Sequence, residues 1–552
     1  MNLAELFRLD TLAIFCAAFS GLFFLLTTLY SAGFMKGMRS GFRYYLYLLV
    51  TLVATAAALF ADNVILLLAL WGFLGLMLYL LIGFGRAART ADTAKKTMII
   101  IGGSDALMLM GLGLIWHLSG TDAPIWSMRL SELRIPIEGG AGTLAFLLLA
   151  AGALAKAGAM PLHTWIPDTA EDAPIPVTAY LPASLDKLLG IYLLARLCLE
   201  VFGMTPAMNT VLMAVGSFTI VAAVMMALVQ HDLRRLLGYH AVSQVGYMVL
   251  GIGTGTLVGI AGGLFHMLNH AIYKACLFYT GGAVVKRAGT ADLRKLGGYA
   301  KVMPVVFTSF LVAALAISGV PPLNGFASKW MVYQGVIETG ADGGFMWVVW
   351  LAAAMIGSAL TLASFMKLSN AVFLGQPSKP LEKRGSGAWA GIPAVTLAAL
   401  CLVFGVLAQR LPLRYLIFPS IGAEPGGQGI WEPGMASVLL LGGLLVGLIL
   451  YLIGRAWKGA RVSKPFVGGV DLEDHPEMRV SGADFYLTVS EMGPLKRMYA
   501  LAEARAFDIY EQGKQLVFEL SGALGAAHSG VLSRYLGWYL LGMAAILAVL
   551  VW

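Results

Sequence analysis

The chain has 552 residues, 59% of them hydrophobic and only 12% charged, with a mean hydropathy of +0.79, a composition that excludes a soluble enzyme and describes a polytopic membrane protein. The net charge of +8 does not signal nucleic acid, because the basic residues are scattered through short loops between apolar runs. Cys16, Cys198, Cys276 and Cys401 all fall in apolar stretches without CxxC spacing, which argues against disulfides and against zinc or iron–sulfur ligation, and for buried inert thiols.

Apolar stretches of about 20 residues, enough to cross a bilayer, predict spans at 10–31, 44–61, 63–84, 97–118, 142–161, 176–203, 208–229, 238–254, 257–285, 302–319, 344–373, 388–408, 435–454 and 535–552. The fold is therefore predicted to be all-α with about fourteen transmembrane helices. The first stretch lacks a small-residue cleavage site and is expected to remain as an anchor.

Positive charges alternate between loops. Lys36, Arg39 and Arg43 follow the first span, Arg86, Arg89, Lys95 and Lys96 the third, and Arg234 and Arg235 the seventh. Lys286, Arg287, Arg294, Lys295 and Lys301 follow the ninth, Lys379, Lys383 and Arg384 the eleventh, and Arg455, Lys458, Arg461 and Lys464 the thirteenth. Lysine and arginine are retained on the cytoplasmic side, so both termini are expected to face away from the cytoplasm; Arg129, Arg134, Arg410 and Arg414 are the main exceptions.

Two spans carry nearly the same interruption, Gly158-Ala159-Met160-Pro161-Leu162-His163 and Gly319-Val320-Pro321-Pro322-Leu323-Asn324, each near a lysine, Lys156 or Lys329. Gly and Pro at corresponding positions of two apolar segments mark helices broken within the bilayer, where transporters with internal repeats place ion sites. Between them, Asp186-Lys187 sits in one span, and His266, His270 and Lys274 recur at i, i+4 and i+8, on one helical face. A lone intramembrane lysine can snorkel, and a lone histidine can simply satisfy a core hydrogen bond. That bland reading suits Arg196, near the end of its span, but not a whole series of deep lysines and histidines.

Lysine shifts its proton affinity readily on burial and histidine titrates near neutrality, so the series suits proton movement. The i, i+4 histidines alone suggest a metal, but that helix has no acidic residue or cysteine to complete a site. No phosphate loop, nicotinamide fingerprint or activated nucleophile is present, and no metal or cofactor is expected.

After the thirteenth span, residues 456–534 are polar and include Lys464-Pro465 and Asp471-Leu472-Glu473-Asp474-His475. Within them, Met498, Leu501, Ile509, Leu516, Leu520 and Leu524 predict a surface helix over about 496–528, with a solvated linker as the alternative because Gly513 and Gly522 weaken a helix.

Leu162-His163-Thr164-Trp165-Ile166-Pro167-Asp168 with Pro174-Ile175-Pro176-Val177-Thr178-Ala179, and His231-Asp232-Leu233-Arg234-Arg235-Leu236-Leu237-Gly238-Tyr239 with Ser243-Gln244-Val245-Gly246-Tyr247, resemble the antiporter-like membrane subunits of respiratory complex I, Mrp-type cation/proton antiporters and energy-converting membrane-bound hydrogenases. The resemblance runs from about residue 10 to 455, and the stretch 182–196 looks closest to the hydrogenase-linked branch. It implies two inverted five-helix repeats, with residues 97–235 and 236–374 as the two halves, 1–96 and 375–455 as flanking helices, 456–534 as a lateral amphipathic helix like that of the largest distal complex I subunit, and 535–552 as its anchor.

By the same resemblance, Lys156 is the switching lysine of the first broken helix and Lys187 its relay neighbour. His266, His270 and Lys274 form the connecting axis, and Lys329 serves the exit. The expected function is proton translocation, with sodium as the alternative ion, by a non-redox subunit of a redox-driven complex in the cytoplasmic membrane, with other membrane subunits as partners. A stand-alone antiporter and a non-transporting structural subunit are the other readings.

Three departures stand out. Family members carry a glutamate straight after the tryptophan of the third span, where this chain has Gly72 after Trp71, and Asp186 is the expected substitute. Asp105 matches an acidic position of the next helix, but the basic partner three residues earlier is Gly102. Leu9-Asp10 aligns with the start of the family's third helix, so the usual first two are expected to be absent.

Overall fold

The computed structural model describes residues 6–37, 41–120, 124–137, 139–341, 343–377, 381, 387–424, 433–454, 468, 482–528 and 530–551. Among these, each predicted span contains a helix. The first compact unit, Met1–Glu491, holds α1 (Thr11–Phe34), α2 (Gly41–Phe60), α3 (Val64–Ile82), α4 (Thr90–Leu118), α5 (Gly139–Ala157), α6 (Trp165–Asp172), α7 (Ile175–Tyr180) and α8 (Asp186–Arg196). It continues with α9 (Pro206–Leu228), α10 (Leu233–Gly253), α11 (Leu257–Ala288), α12 (Pro304–Ser318), α13 (Asn324–Glu338), α14 (Met346–Ser369), α15 (Ala388–Val406) and α16 (Pro433–Ile453).

The starts of these helices are written locally. Asp10 accepts from the Ala13 amide at 3.0 Å, Asn63 from Ile65 and Leu66, and Asp232 from Arg234 and Arg235, each satisfying amides that a helix N-terminus leaves unpaired. The predicted span 176–203 is composite. Two π-helical turns, Leu181–Leu185 and Leu197–Val201, flank α8, and Pro182 in the first has no amide hydrogen to continue an α-helical ladder.

Nine described helices are long and apolar enough to cross a membrane. Their outward faces carry exposed Leu25, Val53, Ile99, Phe218 and Met366, among others, the pattern of a helix bundle whose solvent is lipid. The protein is a multi-pass membrane protein. α10 and α11 depart from that apolar pattern: they are buried along almost their whole length and carry the polar side chains of the interior. Tyr247 and Leu250 of α10 pack with Met213 and Ile220 of α9, Val332 and Val336 of α13 and Ala354 of α14 in one apolar cluster.

Both predicted interruptions are real helix ends. α5 stops at Gly158 (φ +82°), where the amides of Gly158 and Ala159 both donate to Leu154 O at 2.7 and 2.9 Å. α12 stops at Gly319 (φ +83°), with Gly319 N on Ala316 O and Val320 N on Leu315 O, both at 3.0 Å. Only glycine enters this left-handed region without steric cost, so both helices close with a glycine cap. The chain then resumes as α6 and α13, second halves that the count of apolar stretches did not include.

The unit Met492–Trp552 holds α17 (Gly493–Glu503), α18 (Ile509–Ala527) and α19 (Leu532–Val551). The single surface helix predicted over 496–528 is thus two. The break lies at Arg505 (φ +59°) and at Asp508, whose carboxylate caps Tyr510 N at 3.1 Å, and Gly513 and Gly522 both lie inside α18. Lys464-Pro465 and Asp471-Leu472-Glu473-Asp474-His475 lie outside the described residues, as do Arg39, Lys379, Lys383, Arg384, Arg455, Lys458 and Arg461.

Gly319→Ala is expected to destabilise the protein by about 1–2 kcal/mol, the cost of a Cβ in left-handed backbone. A lower unfolding midpoint of the purified chain in detergent would register it; an unchanged midpoint would show that the second break does not need glycine.

Candidate ion-translocation site

A broken helix leaves backbone carbonyls without their intrahelical donors, and in a dry interior each must find another. At the first break Lys187 Nζ donates to Ala157 O, the carbonyl immediately before Gly158. Gly190 makes this approach possible: a Cβ there would stand 2.5 Å from Ala157 N and 2.7 Å from Ala153 O, so α8 lies directly on the end of α5. Trp165 Nε1 meets a second carbonyl, Ala155 O, at 3.1 Å. At the second break Lys329 Nζ donates to Ile317 O at 2.9 Å and lies 4.5 Å from the centroid of the Tyr247 ring. In geometry, the counterpart of Lys329 is therefore Lys187.

Lys156 is held differently. Its ammonium donates to Trp71 O on α3 at 3.2 Å and lies 4.7 Å from the centroid of the Trp71 ring. Two carboxylates act on it, Asp186 more strongly than Asp105. No ion pair within 4 Å joins either of them to Lys156 among the described residues, and Asp186 Oδ2 and Asp105 Oδ1 have no protein hydrogen-bond partner.

Asp105 has a further role that the sequence concealed. A Cβ on Gly72 would stand 3.8 Å from Asp105 Oδ2, so the carboxylate of α4 borders the space beside Gly72, the position where the resemblance leads to the expectation of a glutamate. Acidity near the first lysine is thus supplied from two other helices.

The residues between the two breaks form one buried series. His266 Nδ1 meets Ser328 Oγ at 2.9 Å, next in sequence to Lys329, and His266 Nε2 lies 3.2 Å from both Gln244 Oε1 and Tyr273 Oη. Asn269 Nδ2 donates to Asn324 O at 2.9 Å, and Asn324 Nδ2 donates back to Asn269 Oδ1 at 3.0 Å, which fastens α11 to the start of α13. His270 and Lys274 are fully buried, and neither has a protein hydrogen-bond partner for its side-chain nitrogens. Lys187 acts electrostatically on both, and Lys329 on His266. All seven residues singled out from the sequence, Lys156, Asp186, Lys187, His266, His270, Lys274 and Lys329, are buried in this one interior. No group of three or more His, Cys, Asp or Glu side chains placed to hold a metal occurs among the described residues.

Charge patterning alone misplaced two cations and passed over a third. Lys96 and Arg235 read as loop charges, yet Lys96 is buried in α4 and pairs with Asp168 of α6 at 2.8 Å, while Arg235 pairs with Glu171 at 2.8 Å. The acidic run of α6 was the available signal. Lys367, unremarked near the end of its span, is buried with its ammonium on Leu228 O at 2.7 Å and Gln230 O at 3.0 Å. Arg196 is a structural charge: it pairs with Asp10 and with Glu200, and its guanidinium stacks over Tyr192.

Residues 61–366 match the model of the NADH:quinone oxidoreductase/Mrp antiporter transmembrane family. The chain is 31% identical over 435 residues to F(420)H(2) dehydrogenase subunit L of Methanosarcina mazei, covering 74% of this chain and 64% of that one. It is 31% identical over 437 residues to NADH-quinone oxidoreductase subunit L of Pseudomonas aeruginosa, covering 78% and 69%. It therefore spans less than two thirds of the methanogen protein's length. Among solved structures it shares the fold of a chain of the membrane-bound sulfane sulfur reductase, an archaeal respiratory membrane complex, with a TM-score of 0.78 at 24% identity, covering 98% of this chain and 89% of that one.

Because Asp105 borders the space beside Gly72, Gly72→Glu is expected to set two carboxylates against each other and lower the unfolding midpoint. Asp105→Asn in the same chain should recover part of the loss, with a coupling of about 0.5–3 kcal/mol in a double-mutant cycle. Additive effects would separate the two positions.

Proposed function

Since the chain belongs to the NADH:quinone oxidoreductase/Mrp antiporter transmembrane family, we propose that it is the proton-moving, antiporter-like subunit of a multisubunit membrane complex whose redox chemistry resides in partner chains. The observation that carries the reading is the buried series of Lys156, Asp186, Lys187, Lys274, His270, His266 and Lys329, with Lys187 and Lys329 each donating to a carbonyl of a broken helix. An isolated charge at the bilayer centre costs about 2.5–3.5 kcal/mol on insertion scales. A hydrogen bond from an ammonium to a freed carbonyl offsets about 1.5–3 kcal/mol of such a cost. Buried groups without protein partners, such as His270 and Lys274, are completed by ordered water, and water between titratable groups is what proton hopping requires.

In this reading Lys156 takes up the proton, supported by Asp186 and Asp105, and Lys187 passes it towards the axis. His270, Lys274 and His266 connect the halves, and Lys329 releases it. Residues 97–235 and 236–374 are the two inverted halves. The loop charges support termini on the non-cytoplasmic side of the cytoplasmic membrane. The names of the relatives support membrane partners of the quinone oxidoreductase or F420H2 dehydrogenase type, with a hydrogenase-type complex as the resemblance's further alternative, sodium as a second candidate ion and Mrp-type antiport as the second reading.

Lys156→Ala and Lys329→Ala in the assembled complex are each expected to reduce proton transport by about a hundredfold, the scale of losing a positioned proton-transfer group. Lys329→Arg should fail similarly, because guanidinium keeps its proton. Dye-quenching measurements in proteoliposomes test this. Full transport by Lys156→Ala would leave only a structural role, and transport by the purified chain alone would favour a stand-alone antiporter.

A further inference from the structure

Four helix ends and loops, most of them far apart in sequence, converge on one cavity at the end of the helix bundle, and each brings a cation. Lys36 follows α1, Arg86 follows α3, Arg234 lies in the first turn of α10 and Lys286 in the last turn of α11. The cavity holds about 380 Å³, within the range of small-ligand sites. Its one carboxylate, Asp172, already accepts the Thr93 hydroxyl at 2.5 Å.

The four cations are not equally committed. Arg234 is paired with Asp232 at 3.0 Å, and Lys286 donates to Gly33 O and Phe34 O at the end of α1. Lys36 and Arg86 are exposed and form no ion pair with the described residues. Lys36 and Lys286 moreover repel each other, an arrangement that an anion between them would relieve. The rest of the wall is apolar, with Phe34, Phe84 and Ile175 beside the cations.

The shape and charge select the ligand. An arginine fork beside ammonium groups is the recognition chemistry of phosphate oxygens. Apolar side chains at the ends of transmembrane helices lie at the depth of lipid headgroups, and basic pockets between such helices hold anionic headgroups. We propose that this cavity is a binding site for a phosphate group carried by an anionic phospholipid, with Arg86 and Lys36 as its free contacts and Lys286 completing the charge.

The test uses the purified full chain in detergent, titrated with phosphatidylglycerol, phosphatidylcholine or inorganic phosphate and read by native mass spectrometry, with calorimetry for the phosphate arm. Phosphatidylglycerol should bind in preference to phosphatidylcholine, and Lys36→Ser and Arg86→Ser should each weaken it about fivefold, the scale of one interfacial cation. Lys95→Ser, which removes an exposed lysine outside the cavity, should not. Both test residues are exposed and unpaired, so unchanged unfolding midpoints will show intact folding. Phosphatidylglycerol retention by the double variant equal to that of the unaltered chain overturns the site, as does an equal loss in Lys95→Ser. Inorganic phosphate binding that the double variant loses, without lipid retention, keeps the phosphate site but overturns the lipid as its source.

Discussion

The constraint on which the interior depends is the carbonyl group set free where a helix stops inside the bundle. Without water or a continuing helix to supply a donor, that oxygen must be met by a side chain. Here a lysine meets it twice, Lys187 at Ala157 O and Lys329 at Ile317 O. The break and the buried charge therefore require each other. The carbonyl gives the ammonium a partner in a region that would otherwise exclude it, and the ammonium satisfies an oxygen that would otherwise be orphaned. Gly158 and Gly319 set where each carbonyl points, and Gly190 lets α8 come close enough for Lys187 to reach.

The central helix α11 answers the same constraint by spreading polarity along its length. His266 and Asn269 hold the start of α13 through Ser328 and Asn324, so the second break is fastened by hydrogen bonds as well as by packing. His270 and Lys274, which follow these fastened residues on α11, are the members of the series without protein partners. In the proposed reading, structure-holding and proton-carrying duties thus fall on neighbouring residues of one helix face, spaced one turn apart.

Much of this was legible in the sequence, because its signals are local. Apolar stretches located the helices, the paired Gly–Pro phrases located both breaks, and the depth of the lysines singled out all seven buried residues. What escaped was what depends on which helices touch. Lys96 and Arg235 look like solvated loop charges until α6 brings Asp168 and Glu171 against them. Lys187 looks like a neighbour of Lys156 until Gly190 places it on the break itself. The surface helix was read as continuous because an apolar period carries no mark of the left-handed Arg505 that ends α17.

Gly72 is the sharpest case, since the resemblance leads to the expectation of an acid there, while Lys156, the lysine it would serve, is kept. A carboxylate need not come from a particular helix, only from a particular distance, and Coulomb attraction in a poorly screened interior acts over several ångströms. Asp186 and Asp105 together supply that field at Lys156 from α8 and α4. Among the described residues no carboxylate plays the same part at Lys329, whose ammonium meets a carbonyl oxygen and a tyrosine ring face. The two breaks therefore repeat the same backbone construction with different charge support: carboxylates from two helices act on Lys156 beside the first, whereas a carbonyl oxygen and a ring face hold Lys329 at the second.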